Sequence, residues 1–141
     1  MSLNLLAVQD QITAKLRELS QDVYETSAPD DSRLKFDANG MVLPYITIEF
    51  SDMYESGASK GILSAQYNTA ESFIIVSCVG PTERSVRQVA DLVRSKLTGF
   101  IPADAGELKF SGGNRYYAGQ DSRPNRYVAE VAFVFAVNTV W

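Results

Sequence analysis

The sequence contains no histidine and only one cysteine, Cys78, in 141 residues. Without histidine there is no Ser-His-Asp or Cys-His dyad, no imidazole acid–base chemistry and none of the usual zinc ligand sets. A single cysteine rules out an internal disulfide, so the fold does not depend on an oxidising compartment. Cys78 lies in the apolar run 73–79, where a buried, inert thiol is expected. Positive charge is also short: 13 lysines and arginines against 17 acidic residues give a net charge of −4. That balance argues against a general nucleic-acid binder, which needs a surplus of cations to neutralise phosphates. No segment approaches the roughly 18 apolar residues of a membrane span. The N-terminal run MSLNLLAVQDQ has no basic n-region and breaks at Gln9 and Asp10, so no signal peptide is expected. These features together read as a soluble cytoplasmic protein.

The chain has 45% hydrophobic and 21% charged residues, ordinary proportions for a globular protein. Its length suits one domain spanning residues 1–141 with a real core. The longest strand signal is residues 127–140, YVAEVAFVFAVNTV. Alternate positions Tyr127, Ala129, Val131, Phe133, Phe135 and Val137 form a large apolar face. The other face, from Val128 to Asn138, is smaller but still mostly apolar. Apolar residues on both faces mark an interior strand, and the larger face needs helices against it.

Two segments supply them. Leu5, Val8, Ile12, Leu16 and Leu19 recur at helical spacing within residues 4–20, with Asn4 as a candidate cap. This stripe can also zip against a partner helix; packing on the chain's own sheet is the preferred reading. Val86, Val89, Ala90, Val93 and Leu97 form the second stripe. Pro81 or Thr82 opens that helix, Glu83 suits its positive end, and Gly99 stops it.

Residues 21–31 read as polar and turn-forming. Residues 34–36 are expected as a short strand and Asn39-Gly40 as a hairpin turn, with 41–50 as the returning strand. Pro44 then marks an edge, a bulge or the true strand start. The Pro44 region and the 34–36 strand are expected to be the free edges of the sheet. Residues 62–67 and 73–79 read as two strands separated by a turn at 68–70. Residues 107–110 read as one more. The order α-β-β-β-β-α-β-β gives the α+β class: a single domain with a mostly antiparallel sheet and two helices packed on one face.

No motif for chemistry survives inspection. Gly57-Ala58-Ser59-Lys60-Gly61 lacks the spacing of a phosphate loop, and Gly112-Gly113 does not lead from a parallel strand into a helix. Glu49, Asp52 and Glu55 lack the ordered spacing of a calcium loop. Asp30-Asp31 and the pair Asp104 and Glu107 lie in polar turns, where a raised carboxylate pKa has no cause. No catalytic residue, cofactor or metal site is assigned.

The most informative irregular stretch is 111–126, SGGNRYYAGQDSRPNR. Its arginines and adjacent tyrosines have the composition of a binding surface. Arg115, Tyr116, Tyr117, Arg123 and Arg126 are the candidate partner-binding residues. The same group can stack bases and hold phosphates, but the acidic balance of the chain favours a protein partner.

Three stretches, residues 39–50 (NGMVLPYITIEF), 73–102 (FIIVSCVGPTERSVRQVADLVRSKLTGFIP) and 123–138 (RPNRYVAEVAFVFAVN), resemble the tail terminator proteins of long-tailed bacteriophages and related prophages. The resemblance implies a structural, non-enzymatic virion protein built as an α+β protomer. Its expected partners are copies of itself in a ring, commonly a hexamer, the tail tube protein and the head–tail connector protein. Such a ring caps the head-proximal end of the tube, ends tube polymerisation and offers the head-joining surface, while DNA passes through without specific binding. The implied locations are the host bacterial cytoplasm during assembly and then the virion tail, with no membrane contact. The alternatives are another head–tail joining or minor tail protein, or, from a different class, a small ligand-binding or enzymatic α+β domain.

Overall fold

A computed structural model describes residues 5–25, 34–51, 54–55, 67–103, 105–113, 117–118 and 126–140. The elements run α1 (Leu5–Leu16), β1 (Asp22–Tyr24), β2 (Tyr45–Phe50), β3 (Tyr54–Glu55), β4 (Tyr67–Gly80), α2 (Glu83–Leu97), β5 (Lys109–Gly113), β6 (Tyr117–Ala118) and β7 (Tyr127–Val140). The seven strands form one sheet in the order β1-β2-β4-β7-β5. Beyond the end of β2, β3 pairs with β4; beyond the end of β5, β6 pairs with β7. All pairings are antiparallel except β1 with β2. The α+β class, with both helices on one face, is therefore as the sequence indicates.

The centre is the ladder between β4 and β7, which holds register over the full length of both strands, from Tyr67↔Val140 to Gly80↔Tyr127. Strand alternation sends Ile74, Val76 and Cys78 of β4, and Ala129, Val131, Phe133 and Phe135 of β7, to one face. Ile46 and Ile48 of β2 join them. Against this face lie Val8, Ile12 and Leu16 of α1 and Val86, Val89, Ala90, Val93 and Leu97 of α2. α2 lies over β4 and β7, and α1 runs beside it. Each fully buried Ile, Leu or Phe in this layer contributes roughly 1.5–3 kcal/mol of transfer free energy.

The entry to α2 follows its sequence signals. Thr82 is the N-cap: its Oγ1 accepts from the Ser85 N–H at 3.1 Å, and Ser85 Oγ accepts from the Thr82 N–H at 3.2 Å. Glu83 stands in the first turn and Arg94 and Lys96 in the last, matching the helix dipole. Gly99, at φ +83°, lets the chain leave in the left-handed region.

Several expected boundaries move. α1 ends at Leu16 rather than near residue 20, although Leu19 still packs on the core from the turn that follows. Residues 22–24 form β1 instead of a polar loop, held by parallel pairing to residues 45–47. The 34–36 strand shrinks to one bridge, Phe36↔Val42. Its hairpin is a three-residue loop: the Asp37 N–H reaches the Met41 carbonyl at 2.9 Å, and Gly40 takes φ +76°. Asp37 Oδ1 fixes this turn by accepting from the N–H groups of Asn39 and Met41. Pro44 is the residue before β2, so the strand-start reading of that proline is the correct one. The free edges are not at Pro44 and 34–36, because β1 lies outside β2 and the sheet ends at β1 and β5.

The expected turn at 68–70 is absent. Those residues continue β4, paired with Thr139, Asn138 and Val137. Residues 62–66 of the strand expected there lie outside the described residues. The strand expected at 107–110 is shifted to Lys109–Gly113, so the stretch read as a loop from 111 begins inside β5.

Candidate interaction surface

Of the five candidate loop residues, Tyr117 and Arg126 are described, both next to the start of β7. Tyr117 lies in β6, paired with Val128, and the neighbouring Ala118 pairs with Tyr127. Arg126 is half-buried and directly precedes β7. Arg115, Tyr116 and Arg123 lie outside the described residues. The root of the segment is the end of the sheet where Tyr127 faces Gly80 and α2 begins. There a second apolar cluster of Leu34, Val42, Tyr45 and Val79, with Tyr24 and Val128 against it, covers the face of the sheet away from the helices. Tyr24 and Tyr45 meet edge to face at 5.7 Å. An ion pair of 3.0 Å from Lys35 to Asp22 ties the hairpin to β1, and the hydrogen bond and charge of Asp22 raise the Lys35 pKa.

Beyond that cluster no described helix lies on this face, although Thr47 on it is buried. Registered rows place Thr47, Ser77 and Glu130 side by side, then Glu49, Ile75 and Ala132, then Phe73, Val134 and Lys109. Phe73 is 39% exposed, and Ile75, Ala132 and Val134 are half-buried. Glu71, in the row after Phe73, adds a third carboxylate. The surface is thus an apolar strip flanked by Glu49, Glu71 and Glu130, with Lys109 at its edge. Sequence reasoning noticed that the second face of β7 is mostly apolar but treated it only as a sign of an interior strand.

The helix side differs in character. The outward face of α2 carries Arg84, Arg87, Gln88, Asp91 and Leu92, with Leu92 44% exposed. Asp91 is paired with Arg94 one turn on.

Chemically reactive groups are scarce. Cys78 is fully buried, and burial pushes its pKa up to about 12, with Arg94 pulling weakly the other way. The thiol is therefore protonated at neutral pH and is not a nucleophile in the folded protein. Among the described residues no group of three or more Asp, Glu and Cys side chains is placed to hold a metal ion. No helix among them is long and apolar enough to cross a membrane.

The described residues form an α+β domain with both helices on one face of the sheet. No protein-family model and no curated protein matches the sequence. Among solved structures the fold is similar to a chain from the virion of a native gene transfer agent (GTA) particle. The TM-score is 0.60 at 16% identity, covering 95% of this chain and 96% of that one. At that identity the likeness is one of fold, and it extends over nearly the whole of both chains.

Proposed function

We propose that this chain is a structural protein of a phage-like virion, a tail terminator that forms a ring on the head-proximal end of the tail tube. The observation that carries the reading is the fold shared end to end with a chain of a gene transfer agent virion. The sequence resemblance to tail terminators points the same way from independent grounds. In this role the protein ends tube polymerisation and presents the head-joining surface, with itself, the tube protein and the connector as partners. It works by contact and carries out no reaction. The acidic balance of the chain suits a ring through which DNA must pass without sticking. Assembly takes place in the host bacterial cytoplasm, and the finished ring belongs to the virion tail.

The fold likeness also fits another head–tail joining or minor tail component, and tail length separates the two. Electron microscopy of particles made without this protein should show tubes of uncontrolled length or tails not joined to heads. Tails of normal length that fail only to join would move the protein to the joining class. Normal, joined particles would overturn the reading.

A further inference from the structure

Five large hydrophobic side chains that stay exposed gather at two opposite corners of the sheet. The first corner is the hairpin of residues 34–43, which runs into β2 from beyond the row Tyr45↔Val79. Phe36, Met41 and Leu43 on it are 38–43% exposed. The hairpin is braced: Val42 is buried, Asp37 Oδ1 fixes the turn, and Lys35 is tied to Asp22 of β1. Apolar groups held out on a braced support lose little freedom on binding.

The second corner is the return from α2 to β5. The Gly99 N–H donates to the Leu108 carbonyl at 3.0 Å, and the Leu108 N–H donates to the Phe100 carbonyl at 2.9 Å. The Gly106 N–H reaches the Ala136 carbonyl at 2.8 Å, near the far end of β7. Ile101 is 63% exposed here and Phe110 of β5 is 47% exposed. This corner is braced too, since Gln11 Oε1 accepts from the Ala103 N–H and Lys15 lies over the Phe100 ring. One corner thus lies beside β1 and β2, and the other beside β5 at the opposite side and end of the sheet.

Their charges match in sign and spacing. Backbone bonds set Lys35 opposite Leu43 and Asp37 opposite Met41, so alternation puts all four on one side of the hairpin. Glu107 and Lys109 flank the buried Leu108 in the same alternate spacing and are both exposed. Among the described residues Asp37, Glu107 and Lys109 have no ion pair, and the Lys35 side chain is 66% exposed even beside Asp22.

We infer that the 34–43 hairpin of one copy seats on the 99–110 edge of the next copy. Met41 and Leu43 pack on Ile101 and Phe110, while Lys35 and Asp37 pair with Glu107 and Lys109. Opposite corners of one molecule meet only between copies, so the contact is heterologous and closes into a ring when the rotation permits. The inference rests on the ring reading above and specifies the surfaces that join neighbours.

The test uses the full chain, with assembly followed by light scattering over a concentration series and folding followed by thermal melts. Leu43→Glu and Ile101→Glu alter exposed side chains, so both variants should melt like the wild type. Each should weaken self-association about tenfold or more, as expected for a charge placed at the apolar centre of a contact. Mixed together, they should form pairs and stop there, because only one intact hairpin then meets one intact edge. As a second measurement, a photoreactive phenylalanine analogue at position 41 should cross-link to residues 99–110 of another copy, identified with a mixture of isotope-labelled and unlabelled protein. Unchanged assembly in both single variants, a mixture that forms no pairs or full assemblies, or cross-links between copies only outside 99–110 would overturn this interface and leave the ring reading standing. A wild type that stays monomeric throughout the series also overturns it, since the two corners would then have no affinity. The ring itself is judged separately, by density at the upper end of the tail in assembled particles.

Discussion

Ile74 of β4 stands directly opposite Phe133 of β7, and both side chains have 0% solvent exposure. The pair sits at the middle of the longest ladder, where Phe133 also meets Phe110 of β5 edge to face at 6.1 Å. Helices on one side and strands on both flanks leave little room for the surroundings to collapse into a vacated space. Phe133→Ala should therefore cost about 3–5 kcal/mol, the range for truncating a buried aromatic. Against a total stability of roughly 5–15 kcal/mol this is severe. Chemical denaturation measures it, and a loss under about 1 kcal/mol would remove the β4–β7 ladder from the centre of the fold.

Cys78 gives a prediction with a definite sign. Its ordinary pKa is 9.0, and burial pushes it to about 12 in the folded chain. Below pH 9 the thiol is protonated in both states and makes no pH-dependent contribution. Between 9 and about 12 the unfolded thiol ionises while the folded one stays protonated, so unfolding releases a proton. Stability should fall through that window by up to about 1.4 kcal/mol per pH unit from this group. Cys78→Ala should lack this component of the alkaline loss, so the two stability-against-pH curves should diverge above pH 9. A polar thiol reagent should label the native protein only on unfolding; rapid full labelling would show that the segment is open.

The places where sequence reading succeeded and failed have distinct physical causes. β7 was legible to the residue because its alternate positions Ala129, Val131, Phe133 and Phe135 are set by the core they face. α2 was legible because its cap, stripe and stop agree with one another. Residues 68–70 were read as a turn from Asn68 and Thr69, yet they lie in β4 because β7 offers them a continuous partner; pairing overrides local preference. β1 has only three residues and exists by leaning on β2, a contact no local pattern encodes. Among the candidate loop residues, Tyr117 is tied to β7 by strand pairing and Arg126 directly precedes that strand. The role assigned to Arg115, Tyr116 and Arg123 rests on composition.

The start of α2 is built with little slack. Gly80 ends β4, and a Cβ added there would lie 2.5 Å from Ser85 Oγ. That hydroxyl accepts from the Thr82 N–H and donates to the Thr82 carbonyl at 2.7 Å. Gly80→Ala should push it out of place and cost about as much as Thr82→Ala, roughly 0.5–2 kcal/mol, the usual range for a lost N-cap. Both variants act on one hydrogen-bonded unit. Their combined cost in thermal or chemical melts should therefore fall short of the sum by more than about 0.5 kcal/mol. Simple additivity would mean that the glycine serves some other contact.

The segment proposed to bind partners yields the prediction closest to function. Its flanks are held by rigid elements, β5 before it and β7 after it, with β6 paired to β7 in between, an arrangement typical of binding loops. Tyr116 and Tyr117 offer contact area at low entropic cost, and Arg115, Arg123 and Arg126 are able to pair with acidic groups on a partner. β6 is held by backbone pairing, which survives removal of the Tyr117 side chain. Replacing Arg115, Tyr116 and Tyr117 together by alanine should therefore leave the melting temperature nearly unchanged. In assembling particles the same variant should fail to stop tube growth, giving overlong tails or tails without heads. A large drop in melting temperature would make the segment part of the fold's support. Normal tails from the triple variant would show that the tube and the connector are contacted elsewhere.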